Sequence, residues 1–212
     1  MTNAVSTARG RSESRSGVRA FLSALRKPML WIATSGYFSV TWAGMVLNFW
    51  APTIIQRSGV TNVLHVGLLS AVPYAIGAAG MLALCYHSDR RLERHWHFFA
   101  AVLAAGCAAI AIAYASRKST LAITCLSLLA VGYLSAIALF WTIPTSFLSE
   151  SESAGCIAFI SSAGQVGSLV ALVLFGYVSD RTGNLTLGAC LVAIVLFAGG
   201  GAVISLEVAA KR

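Results

Sequence analysis

Charge is what this sequence has least of. Only 10% of its 212 residues are Asp, Glu, Lys or Arg, against 58% hydrophobic. A soluble domain carries about 25% charged residues, so a free-standing water-soluble fold is excluded. Proline is scarce, with 4 residues, and acids number only 7. The 5 cysteines, Cys85, Cys107, Cys125, Cys156 and Cys190, fall within or at the ends of apolar runs and show no metal-ligand spacing. That removes a disulfide framework or a zinc site from the reading. HExxH and GxSxG are both missing, and His65, His87, His95 and His97 sit at the ends of apolar runs. An intramembrane enzyme, the less favoured reading, therefore finds no catalytic motif here. His87, Asp89, Glu93, His95 and His97 crowd one short segment, but the HWH spacing puts its two histidines on different helix faces. No metal, cofactor or catalytic residue is expected.

What the sequence has is length without charge. No charged residue occurs between Lys27 and Arg57, Arg57 and Asp89, Arg94 and Arg117, Lys118 and Glu150, Glu152 and Asp180, or Arg181 and Glu207. Each run holds the roughly 20 apolar residues that a helix needs to cross a bilayer. The expected fold is all-α, with six transmembrane helices near 29–54, 65–86, 97–115, 119–141, 154–177 and 185–206 forming a bundle over 28–208. Residues 1–27, polar and rich in Ser and Arg, read as a disordered basic cytoplasmic tail. Residues 209–212 read as a cytoplasmic C-terminus. No cleavable signal peptide is visible, because the first apolar run is too long for one.

The net charge of +8 invites a nucleic-acid reading, but its distribution argues for a membrane. With the N-terminus inside, the inner segments hold Arg9, Arg11, Arg15, Arg19, Arg26, Lys27, Arg90, Arg91, Arg94, Lys211 and Arg212. The outer loops hold Arg57, Arg117, Lys118 and Arg181. This positive-inside bias puts both termini in the cytoplasm, most naturally at a bacterial inner membrane. Trp31, Trp50, Trp96 and Trp141 near span ends fit an aromatic belt. Pro28, Pro52 and Pro144 punctuate span ends, whereas Pro73 lies inside the second span and is expected to kink it.

The fifth span is the least lipid-like. Ser161, Ser162, Gly164, Gln165, Gly167 and Ser168 crowd its middle, and Gly164 with Ser168 makes a small-xxx-small pair suited to close helix approach. An amide such as Gln165 at membrane depth needs a partner or water. YHSDR at 86–90 recurs as YVSDR at 177–181. The first follows the second helix and the second follows the fifth, on opposite membrane faces, as in a 3+3 inverted repeat. The segment Asp89–Arg94 packs five charges into six positions and is expected to be a tight cytoplasmic turn. Its ion pairs would act as a latch that biases an inward–outward equilibrium, each exposed pair contributing about 0–1 kcal/mol.

YHSDRRLERHWH resembles the loop between the eighth and ninth helices of major facilitator transporters, which often reads GxxSDRxxER. Here Cys85 stands in place of the usual glycine. The closest subgroup is the anion:cation symporter family, which includes phthalate, tartrate and galactonate permeases. NFWAPTIIQRSGV at 48–60 is similar to its seventh-helix ending, and VGLLSAVPYAIGAAGML at 66–82 to its eighth helix. FWTIPTSFL at 140–148 is similar to the end of its tenth. GCIAFISSAGQVGSLVALVLFGYVSDRTGN at 155–184 is similar to its eleventh. The resemblance covers about residues 28–208. It departs from the family at Ser161, where Asn is usual, at Gln165 (a second Asn), at Ser168 (Gly) and at Leu172 (Pro).

The resemblance implies the C-terminal six-helix half of a twelve-helix carrier of small organic anions, coupled to protons. The family's proton-coupling acids and main substrate-binding arginine belong to the other half, so a separate N-terminal half or a second copy is the expected partner, with lipid and no nucleic acid. Candidate substrate contacts are Tyr37, Asn48, Trp141, Ser161, Ser162 and Gln165. Each also has a plain packing role open to it, Trp141 as a belt residue and the serines bonded to their own helix. Candidate gating residues are Asp89, Arg90, Arg91, Glu93, Arg94, Asp180 and Arg181. The competing reading is an inactive, truncated or regulatory membrane subunit.

Overall fold

The computed structural model describes residues 17, 19–91, 93–114, 118–183 and 185–210, with backbone only over 206–210. Six helices in it are long and apolar enough to cross a membrane: α1 (Pro28–Arg57), α2 (Val63–Arg91), α3 (Arg94–Tyr114), α4 (Ser119–Phe140), α5 (Glu150–Thr182) and α6 (Leu185–Ala210). The described residues contain no strand. In a bilayer every backbone N–H and C=O must be satisfied within the segment, and helices do this. The helices outrun the uncharged stretches. The 29 residues of α2 span about 43 Å, so its charged end stands clear of a hydrocarbon core about 30 Å thick.

The helices are not stacked in chain order. α2 lies along α4 and α5 along α1; α4 packs on α3 and α1 on α6; α3 meets α6. Exchanging α1–α3 with α4–α6 maps this set of neighbours onto itself. Each three-helix unit thus lends its first helix to the other, which is the packing counterpart of the inverted repeat. A shift of 91 residues aligns Tyr86–Arg90 with Tyr177–Arg181, Arg26-Lys27 with Arg117-Lys118, and Phe49-Trp50 with Phe140-Trp141. The structure respects the alignment. Lys27 and Lys118 are the residues at which α1 and α4 begin. Ser88 and Ser179 are both buried, and neither hydroxyl has a partner among the described residues.

Small residues let the exchanged helices approach. A Cβ on Gly77 of α2 would lie 2.8 Å from the Ala130 Cβ of α4. On α5, Gly164 meets the Tyr37 ring and Gly167 the Phe38 ring of α1. Gly167, one turn from Gly164, adds a second close approach to α1.

Two local expectations change. The first span runs to Arg57 and is interrupted by a π-helical turn over Val46–Trp50. Pro52, read as end punctuation, is part of the reason, since it has no N–H to give to the Asn48 carbonyl four residues earlier. The second span carries Pro73 inside a helix that runs from Val63 to Arg91. The tail expected to be disordered over 1–27 is ordered at its end: residues 19–24 are helical, Ala24 is buried, and Phe21 packs on Phe159 of α5 with ring centroids 6.2 Å apart. Residues 1–16, 211 and 212 lie outside the described residues, as does Arg117.

Candidate functional site

Tyr37 comes from the first half of α1 and is buried, with its ring centroid 5.0 Å from both Phe140 and Trp141 at the end of α4. The same ring lies against Gly164 of α5. The fold therefore brings Tyr37 and Trp141 to the polar turn of α5, where Ser161 is half-buried and Ser162 and Gln165 are exposed. Among the described residues none of these three α5 side chains has a hydrogen-bond partner, so their donors and acceptors remain available to water or a ligand.

Asn48 is not part of this cluster. It sits 11 residues beyond Tyr37, about 16 Å along the helix, in the π-helical turn and exposed. Its Oδ1 accepts a 2.7 Å hydrogen bond from the Tyr74 hydroxyl of α2. Tyr74 was not among the sequence candidates. Under the 91-residue shift Tyr74 corresponds to Gln165, so the two polar side chains occupy equivalent positions in the two repeats. α2 and α5 are also the least covered helices, with 11% and 22% of their apolar windows buried against 44–67% for the others. Tyr133 of α4 adds another phenol, its hydroxyl lying where a Cβ on Gly44 would be 2.5 Å away.

The charged turn is as compact as its spacing implied. α2 ends at Arg91 and α3 starts at Arg94. Arg94 Nη2 lies 3.6 Å from Asp89 Oδ1, with both side chains substantially exposed. Arg90 sits over the Tyr86 ring, 4.5 Å from its centroid, while Arg91 and Glu93 face outward. At the far end of α5, Arg181 covers Tyr177 at 5.4 Å in the same way, beside exposed Asp180. The two SDR segments thus repeat one local structure, Arg over Tyr with a buried Ser between them, at opposite ends of the bundle.

The strongest ion pair was not foreseen. Lys27 Nζ donates to both carboxylate oxygens of Glu152, each at 2.9 Å, tying the start of α1 to the start of α5. Glu152 is buried and closes a capping box with Ser149, whose N–H and hydroxyl both donate to it. The sequence signal was Ser-x-x-Glu just before an apolar run. Glu152 stands ahead of the apolar stretch 154–177. The Lys27 and Ser149 hydrogen bonds hold its carboxyl down at about 2 against the opposing effect of burial. This buried acid is therefore held ionised, and it is unsuited to carry a proton in this conformation.

The sequence profile described as the Major Facilitator Superfamily matches residues 3–172. The chain belongs to the Major Facilitator Superfamily. It is 33% identical over 88% of its length to an Agrobacterium vitis protein named for tartrate transport, covering 40% of that protein. It is 31% identical over 84% of its length to a quinolone resistance transporter of Acinetobacter baumannii, covering 41% of it. It is 27% identical over 82% of its length to the metabolite transport protein NicT of Pseudomonas putida, again covering 40%. The chain thus spans about 40% of the length of these relatives. Family membership and the six apolar helices make it an integral, multi-pass membrane protein, and the relatives are named as transporters and not as enzymes.

Proposed function

We propose that the chain forms one six-helix half of a carrier for a small organic anion, a carboxylate or sugar acid, moved together with protons. The observation that carries this reading is the set of polar side chains left uncovered on the bundle. Ser162 and Gln165 on α5, Tyr74 on α2 and Asn48 on α1 are exposed within uncharged spans. Polar groups at membrane depth face a cavity or a partner. Tyr37 and Trp141 form the aromatic wall beside the polar turn of α5. None of the uncharged runs supplies a carboxylate to take the proton or a cation to hold the anion's charge. Both are assigned to a second six-helix half, or to a second copy of this chain. The charge bias supports cytoplasmic termini, and a bacterial inner membrane is the setting this reading takes. The relatives named for tartrate and metabolite transport support the substrate class.

The same lack of a carboxylate or a permanent cation favours an inactive or regulatory subunit as the second reading. Uptake separates the two. Proteoliposomes holding this chain with a matching N-terminal half are expected to accumulate members of a carboxylate panel under an imposed pH gradient. Gln165→Leu should raise KM roughly tenfold, the size of one lost hydrogen bond to a charged group. Uptake that is indifferent to the presence of this chain would exclude the carrier reading.

A further inference from the structure

The stretch just ahead of α1 has two faces. Residues 19–24 are helical. Positions 21, 24 and 25 fall on one side and 19, 22, 23 and 26 on the other, the spacing of an amphipathic turn. Phe21, Ala24 and Leu25 turn inward. Phe21 lies over Gly155 of α5 as well as against Phe159, and Ala24 is fully buried. The indole N–H of Trp31 in α1 donates to the Leu25 carbonyl at 2.9 Å. The stretch is thus fixed to both α1 and α5. On its outer side Arg19, Leu22, Ser23 and Arg26 line an open depression of about 250 Å³.

That outer side joins uncommitted cations to uncovered apolar surface. Among the described residues neither the Arg19 nor the Arg26 guanidinium has an ion pair or a hydrogen bond, and Glu152 is already engaged by Lys27. The Ser23 hydroxyl donates to the Ala20 carbonyl at 2.7 Å, which leaves the two guanidiniums as the donors of the depression. Leu22 and Trp31 are 55% and 54% exposed. Pro28 begins the spanning helix, so this surface stands where the hydrocarbon core gives way to headgroups. Arginines beside an exposed Leu and Trp are the composition of a segment that lies in that boundary. Residues 19–27 contain no acid, and Arg9, Arg11 and Arg15 precede them in the sequence.

We propose that this depression binds an anionic phospholipid, its phosphate held by Arg19 and Arg26 and its acyl chains beside Leu22 and Trp31. Basic residues next to a membrane span are drawn to anionic headgroups, and Leu22 and Trp31 give the chains an apolar surface that no described residue covers. A zwitterionic lipid offers the same chains without net charge, so the preference between the two lipid classes reads the arginines. A second copy of the chain would bring the same positive face and is repelled. The site is independent of the carrier reading, since it lies on the outer surface beside α1 and involves no transported molecule.

The test uses the 212-residue chain, otherwise cysteine-free, with a fluorophore on Ser23→Cys, in discs of phosphatidylcholine. Spin-labelled phosphatidylglycerol or spin-labelled phosphatidylcholine is titrated in as the quencher. Half-maximal quenching is expected at a roughly twentyfold lower mole fraction of phosphatidylglycerol, about fivefold for each arginine. Arg19→Gln and Arg26→Gln should each cut the preference about fivefold, and together they should bring the two lipids within about twofold. Equal quenching by the two lipids, or a preference that survives the double variant, would overturn the proposal. Glycerol phosphate in the buffer separates a lipid from a free phosphate. It should leave the quenching unchanged, and full displacement would show a site for soluble anions instead. The same probe in the complete transporter tests the remaining occupant. Quenching should persist there; its loss, with the two Gln substitutions loosening the association of the halves, would assign this face to an acidic surface of the other half and overturn the lipid site.

Discussion

The two three-helix repeats share a scaffold and differ in how they are braced. Lys27, where α1 begins, is paired with buried Glu152 at the start of α5. Its counterpart Lys118, where α4 begins, is exposed, and the position equivalent to Glu152 is Thr61, near the start of α2. Among the described residues, the shared architecture therefore carries a charged clamp at one end that it does not carry at the other. The Asp89–Arg94 pair lies at the clamped end as well, because the starts of α1 and α5 and the α2–α3 turn share that end. An inverted repeat gives both ends the same backbone. Among the described residues, a few side chains then make the ends differ, and the Lys27 end is the one tied by a charged clamp.

Breaking the clamp should have the largest effect. Glu152→Gln removes the carboxylate that accepts from Lys27 and weakens the Ser149 capping box. The purified chain is expected to melt several degrees lower, on the order of the change for one substantial interaction in a domain this size. Lys27→Met should lower it less, because the Ser149 bonds to Glu152 survive. A melting temperature for Glu152→Gln within experimental error of the parent would show that the clamp does not brace the fold.

The clamp also has a pH signature. The Glu152 carboxyl is lowered from 4.5 to about 2, so its contribution is fully present above the unfolded value. It is lost as the pH falls through the folded value. The gap in melting temperature between the parent and Glu152→Gln should thus be constant from pH 5 to 7 and shrink from about pH 4.5 towards 2. A gap that shrinks between pH 7 and 6 would mean that a group other than Glu152 controls this end.

Asp89→Asn probes the weaker pair at the same end. In a transport-competent carrier it should lower the maximal rate about two- to fivefold and leave KM nearly unchanged, the scale expected for one exposed pair. A large rise in KM at constant rate would place Asp89 in the substrate path and not in a latch. The smallest effect is expected from supplying the missing brace. Thr61→Glu offers Lys118 a partner at the other end, and as an exposed pair it should shift the inward–outward balance by no more than about 1 kcal/mol. Accessibility of a reporter cysteine at position 57 is the readout, and it should fall slightly.

Much of this architecture was legible because bilayer physics leaves few choices. Six uncharged runs between charged punctuation can only be six helices, and their positions agree with the structure to within a few residues at most ends. Gln165 stood out because an amide in an apolar run is costly unless it is used. Tyr74 did not, since tyrosine is amphipathic and common near membranes; only its bond to Asn48 marks it. The π-helical turn was hidden because a proline near a span end reads equally well as a terminator. Glu152 was hidden because an acid at a helix start is ordinary, and its partner Lys27 lies 125 residues away. The Arg-Lys and Phe-Trp repeats are hard to read from the sequence, for different reasons. Arg-Lys looks like topogenic charge, and the FW–PT match is broken by one inserted residue between Phe49-Trp50-Ala51-Pro52 and Phe140-Trp141-Thr142-Ile143-Pro144.

The central claim is that this six-helix unit supplies walls and neutral hydrogen-bonding groups for an anion path, and that the proton carrier lies elsewhere. Its most direct test is uptake by proteoliposomes containing only the 212-residue chain, with a carboxylate panel and an imposed pH gradient, compared with the same chain joined to a matching N-terminal half. The account predicts no gradient-driven uptake by the chain alone and clear uptake by the pair. Robust pH-driven uptake by the chain alone would contradict it, because a proton would then have to be carried through spans whose uncharged runs offer no carboxylate.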